Sequence, residues 1–143
     1  MRPYSLRRLI WAGPVATITA IGANLLYFAA TQASGEKYLM PLDGMGSHLA
    51  PMPVTLPVTV ILFIGLAATF FFGLLIRFAR KPGTVFLSVA ITALILSFGG
   101  SFSLPSAPLQ TKILLSGMNV IAAGIIAGGI PWLSRNKDDR SGK

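Results

Sequence analysis

Three observations predict an all-α fold, an integral membrane bundle of four transmembrane helices. Four apolar runs can be drawn, at 9–31, 57–78, 84–102 and 111–133, each near the length of about 20 residues that a helix needs to cross a bilayer. Only 11% of the 143 residues are charged, against about 25% in a domain that covers itself in water. The basic residues, finally, gather on one side of the runs. Arg2, Arg7 and Arg8 precede the first, Arg77, Arg80 and Lys81 separate the second from the third, and Arg135, Lys137, Arg140 and Lys143 follow the fourth. Only Lys37 and Lys112 lie in the other two connections. This asymmetry predicts that both termini are cytoplasmic.

The runs use most of the chain, so 1–143 reads as a single membrane domain with an outer loop at 32–56 and a cytoplasmic tail at 134–143. The formal charge of +8 sits in short clusters at span ends. That placement argues against nucleic acid and for anionic headgroups at the cytoplasmic face. With no cysteine in the sequence, disulfides, thiolate metal sites and cysteine nucleophiles are excluded. The first run follows basic residues as a signal peptide would, but it exceeds the roughly 7–15 residues of a signal core. It is expected to remain as the first helix.

That first helix carries Trp11 near one interface and Pro14 about a turn inside, which predicts a kink or a start near Gly13. Ala12, Ala16, Ala20 and Asn24 recur at four-residue steps, a small-residue stripe that lets a second helix approach closely. Tyr27 marks the outer end. The connection that follows holds Glu36, Lys37, Asp43, His48 and prolines at 41, 51 and 53. It reads as turns without helix or strand, and its Met40, Met45 and Met52 are expected to fold it back over the helix ends. Pro57 suits the first turn of the second helix. Gly65 and Thr69 form a small pair there, and of the following Phe70, Phe71 and Phe72 at least one must face lipid. Arg77 to Gly83 is a tight connection, after which Thr84 is expected to cap the third helix. That helix is expected to loosen at Gly99-Gly100 before a loop with Pro105 and Pro108. The fourth helix carries Gly117, then a GxxxG at Gly124 and Gly128, and ends near Pro131 and Trp132. In a four-helix chain the GxxxG reads first as an internal contact with the first helix, and second as a homodimer face. The two halves share little beyond small residues, so no internal repeat is read.

Chemistry is sparse. Ionisable residues inside spans are the usual markers of transport or proton relay, and apart from Arg77 and Lys112 at span ends the four spans contain no charged residue. Their polar residues include Asn24 and Asn119, with Thr17, Thr19, Thr69, Thr92, Ser97 and Ser116. Asn24 and Asn119 lie at similar depth. They read as an interhelical hydrogen bond or, less directly, as the polar group of a binding pocket. His48, with Asp43 and Glu36, matches no metal-ligand spacing, and Ser47 beside it lacks the geometry of a nucleophile with a base. No catalytic residue, cofactor or metal is expected.

The stretch from Arg77-Phe-Ala-Arg-Lys-Pro-Gly-Thr-Val-Phe86 to Leu96-Ser97-Phe98, with Leu114-Leu-Ser-Gly-Met-Asn-Val-Ile-Ala-Ala-Gly124 and Ala23-Asn24, resembles a family of small four-span bacterial membrane proteins. The family, common in actinobacteria, is known only as a domain of unknown function, number 6069. The resemblance implies the four-span topology and a bacterial cytoplasmic membrane. Where the family typically has histidine after the methionine matching Met118, this chain has Asn119, so a histidine-dependent role has no residue here.

From the residues, the leading expectation is a non-enzymatic membrane protein, an accessory or assembly subunit or a homo-oligomer. Its packing surfaces would be Ala16, Ala20, Gly65, Thr69, Gly117, Gly124 and Gly128. The second is a carrier or binding protein for a hydrophobic ligand (lipid, quinone or pigment) at Asn24 and Asn119. The third is a small transporter or channel.

Overall fold

The computed structural model describes residues 4–41, 48–103 and 106–135. Expectations for Arg2, for Asp43, Met45 and Ser47 in the outer loop, for Pro105 and for the tail from 136 onward lie outside the described residues. Four helices make up the body: α1 (Leu6–Ala33), α2 (Thr55–Phe78), α3 (Pro82–Phe102) and α4 (Leu109–Ser134). Two short strands, β1 (Leu39–Pro41) and β2 (Leu49–Pro51), lie between α1 and α2. Each helix is long and apolar enough to cross a membrane. We call the end with the α2–α3 connection the basic end, and the other the hairpin end.

Three local expectations are corrected. The helix α1 does not start near Gly13: it begins at Leu6 and carries Pro14 within it. The carbonyl that loses an amide partner there belongs to Ile10, an exposed residue close to the helix start. Thr84 does not cap α3, which begins at Pro82 with Lys81 at the cap position and no side-chain capping bond. Proline's fixed φ makes it a natural first-turn residue. The glycines Gly99 and Gly100 do not interrupt α3, which continues to Phe102.

The seam between α1 and α2 is built from two reciprocal Gly/Thr pairs. A Cβ on Gly13 would overlap the Thr69 side chain, and a Cβ on Gly65 would overlap the Thr17 side chain. Each threonine donates its hydroxyl to the glycine four residues back in its own helix, Thr17 to the Gly13 carbonyl at 2.8 Å and Thr69 to the Gly65 carbonyl at 2.7 Å. Its polar atom is thereby satisfied without water, and its bulk fills the hollow over the other helix's glycine. On the other flank of α1, Ala16 would touch a Cβ on Gly129 at 3.2 Å, and the Tyr27 hydroxyl lies against Gly117. Ala12, Ala16, Ala20 and Asn24 are all buried, so α1 packs along its small-residue stripe.

At the basic end the Ser5 amide donates to the Ser134 carbonyl at 2.9 Å, and the Arg8 guanidinium donates to the Arg135 carbonyl. The Tyr4 ring meets Phe72 edge-on at 5.2 Å, with its hydroxyl over Gly83. Tyr4, Ser5 and Arg8 thus bind the entry to α1 to the end of α4 and to the α2–α3 turn.

At the hairpin end the outer connection does contain strands, contrary to the sequence expectation. β1 and β2 pair antiparallel, Leu39 opposite Pro51 and Met40 opposite Ala50. A two-stranded ribbon consists only of edges, so its prolines forfeit no interior ladder bond. The ribbon folds back over the helix ends, as its methionines suggested. Tyr38 is buried against Phe28, ring centroids 4.6 Å apart, and its hydroxyl pairs with Thr31 at 2.7 Å. The fully buried Thr111 of α4 donates to the Lys37 carbonyl at 3.3 Å and accepts from the Leu39 amide at 3.2 Å.

Burial pushes the Tyr38 phenol above its ordinary 10.0; the Thr31 bond opposes this, while Tyr27 and Glu36 add to it. A raised folded-state value means that the fold favours the neutral phenol. That stabilisation is fully present below about pH 10 and is lost as pH rises through the folded value. Tyr38→Phe, which removes the Thr31 bond, is expected to cost about 1 kcal/mol at neutral pH. Thermal melts between about pH 8 and 11 are expected to fall less steeply for this variant than for the native chain.

Candidate functional site

The feature that distinguishes this bundle is a cleft of about 360 Å³ between α2, α3 and α4. Its origin lies in the placement of large and small residues. Near the basic end, Phe86 of α3 packs on Phe72 at 4.9 Å and on Phe71 at 6.4 Å. These rings wedge α2 and α3 apart. Beyond them the facing residues are Ala67 and Ala68 on α2, Ala90 and Ala93 on α3, and Ala123 and Ala127 on α4, which are too small to refill the space. The buried residues of α3 are Pro82, Phe86 and Ser101. This helix therefore rests on the bundle at its two ends and spans the cleft between them.

The lining runs from Val60 to Phe71 on α2 and from Phe86 to Ser97 on α3, about 16 Å along each axis at ~1.5 Å per residue. That is roughly one leaflet, half of a hydrocarbon core about 30 Å thick. Among the lining residues only Ser97 and Asn119 are polar, and none is titratable.

Both polar residues have unused hydrogen-bonding capacity. The Asn119 amide donates to the Ser101 hydroxyl oxygen at 3.2 Å, leaving its second N–H and its carbonyl oxygen. Thr19, Thr59, Thr69, Ser88, Thr92 and Ser116 each donate to the carbonyl four residues back. Ser97 departs from that habit: its hydroxyl has no hydrogen-bond partner among the described residues. Ser101, which Asn119 reaches, lies one turn beyond Ser97 on α3. The two groups thus sit together at the hairpin end of an otherwise apolar cleft.

The two asparagines read together in the sequence take separate partners. Asn24 is buried in α1, donates to the Ala20 carbonyl at 3.0 Å, and leaves its own carbonyl oxygen without a partner. It does not line the cleft; Asn119 does. Of the glycines singled out, Gly65 and Gly117 face neighbouring helices, whereas a Cβ on Gly124 or Gly128 would meet nothing within 4 Å. The GxxxG is exposed and makes no contact with α1, and the close approach of α4 to α1 falls on Gly129 instead. Sequence reasoning missed Gly13, Gly129 and the alanine walls. The signal for the walls was present as small residues at helical spacing on α3, but alanines also serve as ordinary packing mass. Among the described residues no cluster of three or more His, Cys, Asp or Glu could hold a metal ion.

Four helices able to cross a bilayer, packed through small residues and leaving an apolar cleft, define a multi-pass membrane protein of the four-helix class. The chain belongs to the Family of unknown function (DUF6069), whose model matches residues 4–137. No curated protein and no solved structure matches it.

Proposed function

We propose that this is a non-catalytic membrane protein that binds a hydrophobic ligand from the bilayer in the α2–α3–α4 cleft, with both chain ends in the cytoplasm. The observation that carries this reading is the cleft itself. At about 360 Å³ it falls in the range of roughly 300–1,000 Å³ of small-molecule sites, which are mostly apolar with a few placed polar groups. Ser97 and Asn119 are those groups here. A lining without a titratable side chain favours holding a ligand over transforming it. The same absence argues against coupled transport.

A second reading, assembly with a like or unlike membrane subunit, is favoured by the exposed Gly124–Gly128 face. There a second helix backbone could approach closely.

Native mass spectrometry of the chain released from mild detergent separates the two. Binding is expected to give the 15.1 kDa chain carrying a small adduct of defined mass. Multiples of that mass without an adduct, or a fixed protein partner, would favour assembly and contradict the ligand reading. The orientation rests on the basic clusters. A reporter fused at the C-terminus is expected to read cytoplasmic, and an extracytoplasmic signal would overturn it.

A further inference from the structure

We infer that the occupant of the cleft is an ester-linked phospholipid. Its acyl chain would lie in the cleft, its ester carbonyl at Ser97 and Asn119, and its phosphodiester at Lys112. This inference rests on the binding reading above and names its ligand.

Three features at successive heights carry it. The lowest is the apolar channel, closed toward the basic end by Phe71 and Phe86 and walled by alanines. A chain entering it would have to come from the hairpin end or from the flank, with its head toward the hairpin. Next come the Ser97 hydroxyl and the second Asn119 N–H. Both are donors, and in a hydrocarbon setting an unmet donor is costly. An ester carbonyl, with two lone pairs, accepts both; an alkyl chain alone accepts neither.

The highest feature is Lys112. It lies seven residues before Asn119, two turns away and hence on the same face of α4. Its ammonium donates to the Phe102 carbonyl at 3.0 Å, which places the charge at the last residue of α3. Phe102 is five residues beyond Ser97, about 7–8 Å along the axis, a separation that the glycerol backbone of a phospholipid bridges between ester and phosphate. An ammonium has three donors, so two remain for phosphate oxygens.

A quinone would leave Lys112 without an anion, and a hydrocarbon pigment would leave Ser97 and Asn119 unmet as well. The phospholipid satisfies all three heights at once.

The test compares ester-linked phosphatidylglycerol with its ether-linked analogue, which lacks the carbonyl. The protein is reconstituted in vesicles of each, extracted into mild detergent, and the bound lipid counted by native mass spectrometry. The native chain is expected to retain the ester-linked lipid about 3- to 10-fold better, the equivalent of one or two modest hydrogen bonds. Ser97→Ala is expected to reduce that preference to about half on a logarithmic scale, because Asn119 still offers one donor to the ester carbonyl, and Ser97→Ala combined with Asn119→Leu is expected to abolish it. Lys112→Gln is expected to weaken retention of both phospholipids but not of diacylglycerol, which has no phosphate; a purely structural role for Lys112 would lower all three. Equal retention of ester and ether lipids by the native chain would overturn the inference and leave the binding reading standing. Retention of no lipid from either vesicle would overturn both. The ester–ether comparison on the native chain needs no variant, so a variant that fails to fold does not rescue the inference.

Discussion

Gly65→Ala is expected to destabilise the bundle by about 1–3 kcal/mol, the usual cost of forcing extra atoms into a filled contact. The new Cβ would overlap the Thr17 hydroxyl and methyl and stand 2.8 Å from the Thr17 Cβ. Helix propensity works the other way, since alanine is better than glycine by roughly 0.5–1 kcal/mol, so the steric term must exceed that gain to be seen. Gly13→Ala, against Thr69, is expected to behave alike. Because the Thr17 Cβ is itself too close, Thr17→Ala would not relieve the clash but Thr17→Gly would. Gly65→Ala combined with Thr17→Gly is therefore expected to lose less than the sum of the two single changes, a coupling that a double-mutant cycle of thermal stability would measure. Gly124→Ala and Gly128→Ala supply the contrast. With nothing within 4 Å of either position, both are expected to be neutral or slightly stabilising in the monomeric chain.

The second large effect concerns the cleft. Ala93→Phe would place a ring in the channel from an α3 position that is exposed and lines the cleft. It is expected to reduce bound lipid at least about tenfold, equivalent to about 1.4 kcal/mol, with no loss of thermal stability. Ile91→Phe, at an exposed position of the same helix that does not line the cleft, is the matched control and is expected to change neither quantity. A loss of lipid in both variants would mean that bulk anywhere on α3 disturbs binding. The cleft would then not be the site.

The spans were legible because bilayer thickness imposes a length and lipid imposes an apolar composition, and both are properties of the one-dimensional sequence. The four runs fall within the four helices, which extend up to three residues further at an end. The α1 stripe was legible for a related reason: small residues every four positions are uncommon by chance and form a continuous groove. What could not be read was the partner of each small residue. Gly124 and Gly128 match the pattern of a packing motif as well as Gly13 and Gly65 do. Only the rotation of α4 about its axis, set by Tyr27 on Gly117 and Ala16 on Gly129, decides that the motif faces outward. The same is true of Asn24 and Asn119, which share a depth but lie on different seams. The hairpin was missed because its prolines and glycines signal turns, while its pairing depends on Tyr38 and Thr111, residues 73 positions apart that only the bundle brings together. The cleft had no local signature, because it arises from phenylalanines at one end of two helices and alanines along the rest.

The central claim, that a lipid chain occupies the α2–α3–α4 cleft, is tested most directly by photo-crosslinking. Vesicles containing a phospholipid with a diazirine partway down its acyl chain would be irradiated with the reconstituted protein, and the labelled residues mapped by peptide mass spectrometry. The account expects labelling concentrated on cleft residues such as Ile64, Ala93 and Ala123, and lost in Ala93→Phe. Labelling spread evenly over exposed residues outside the cleft, such as Ile10, Ile18, Phe63 and Phe70, and unchanged in that variant, would contradict it.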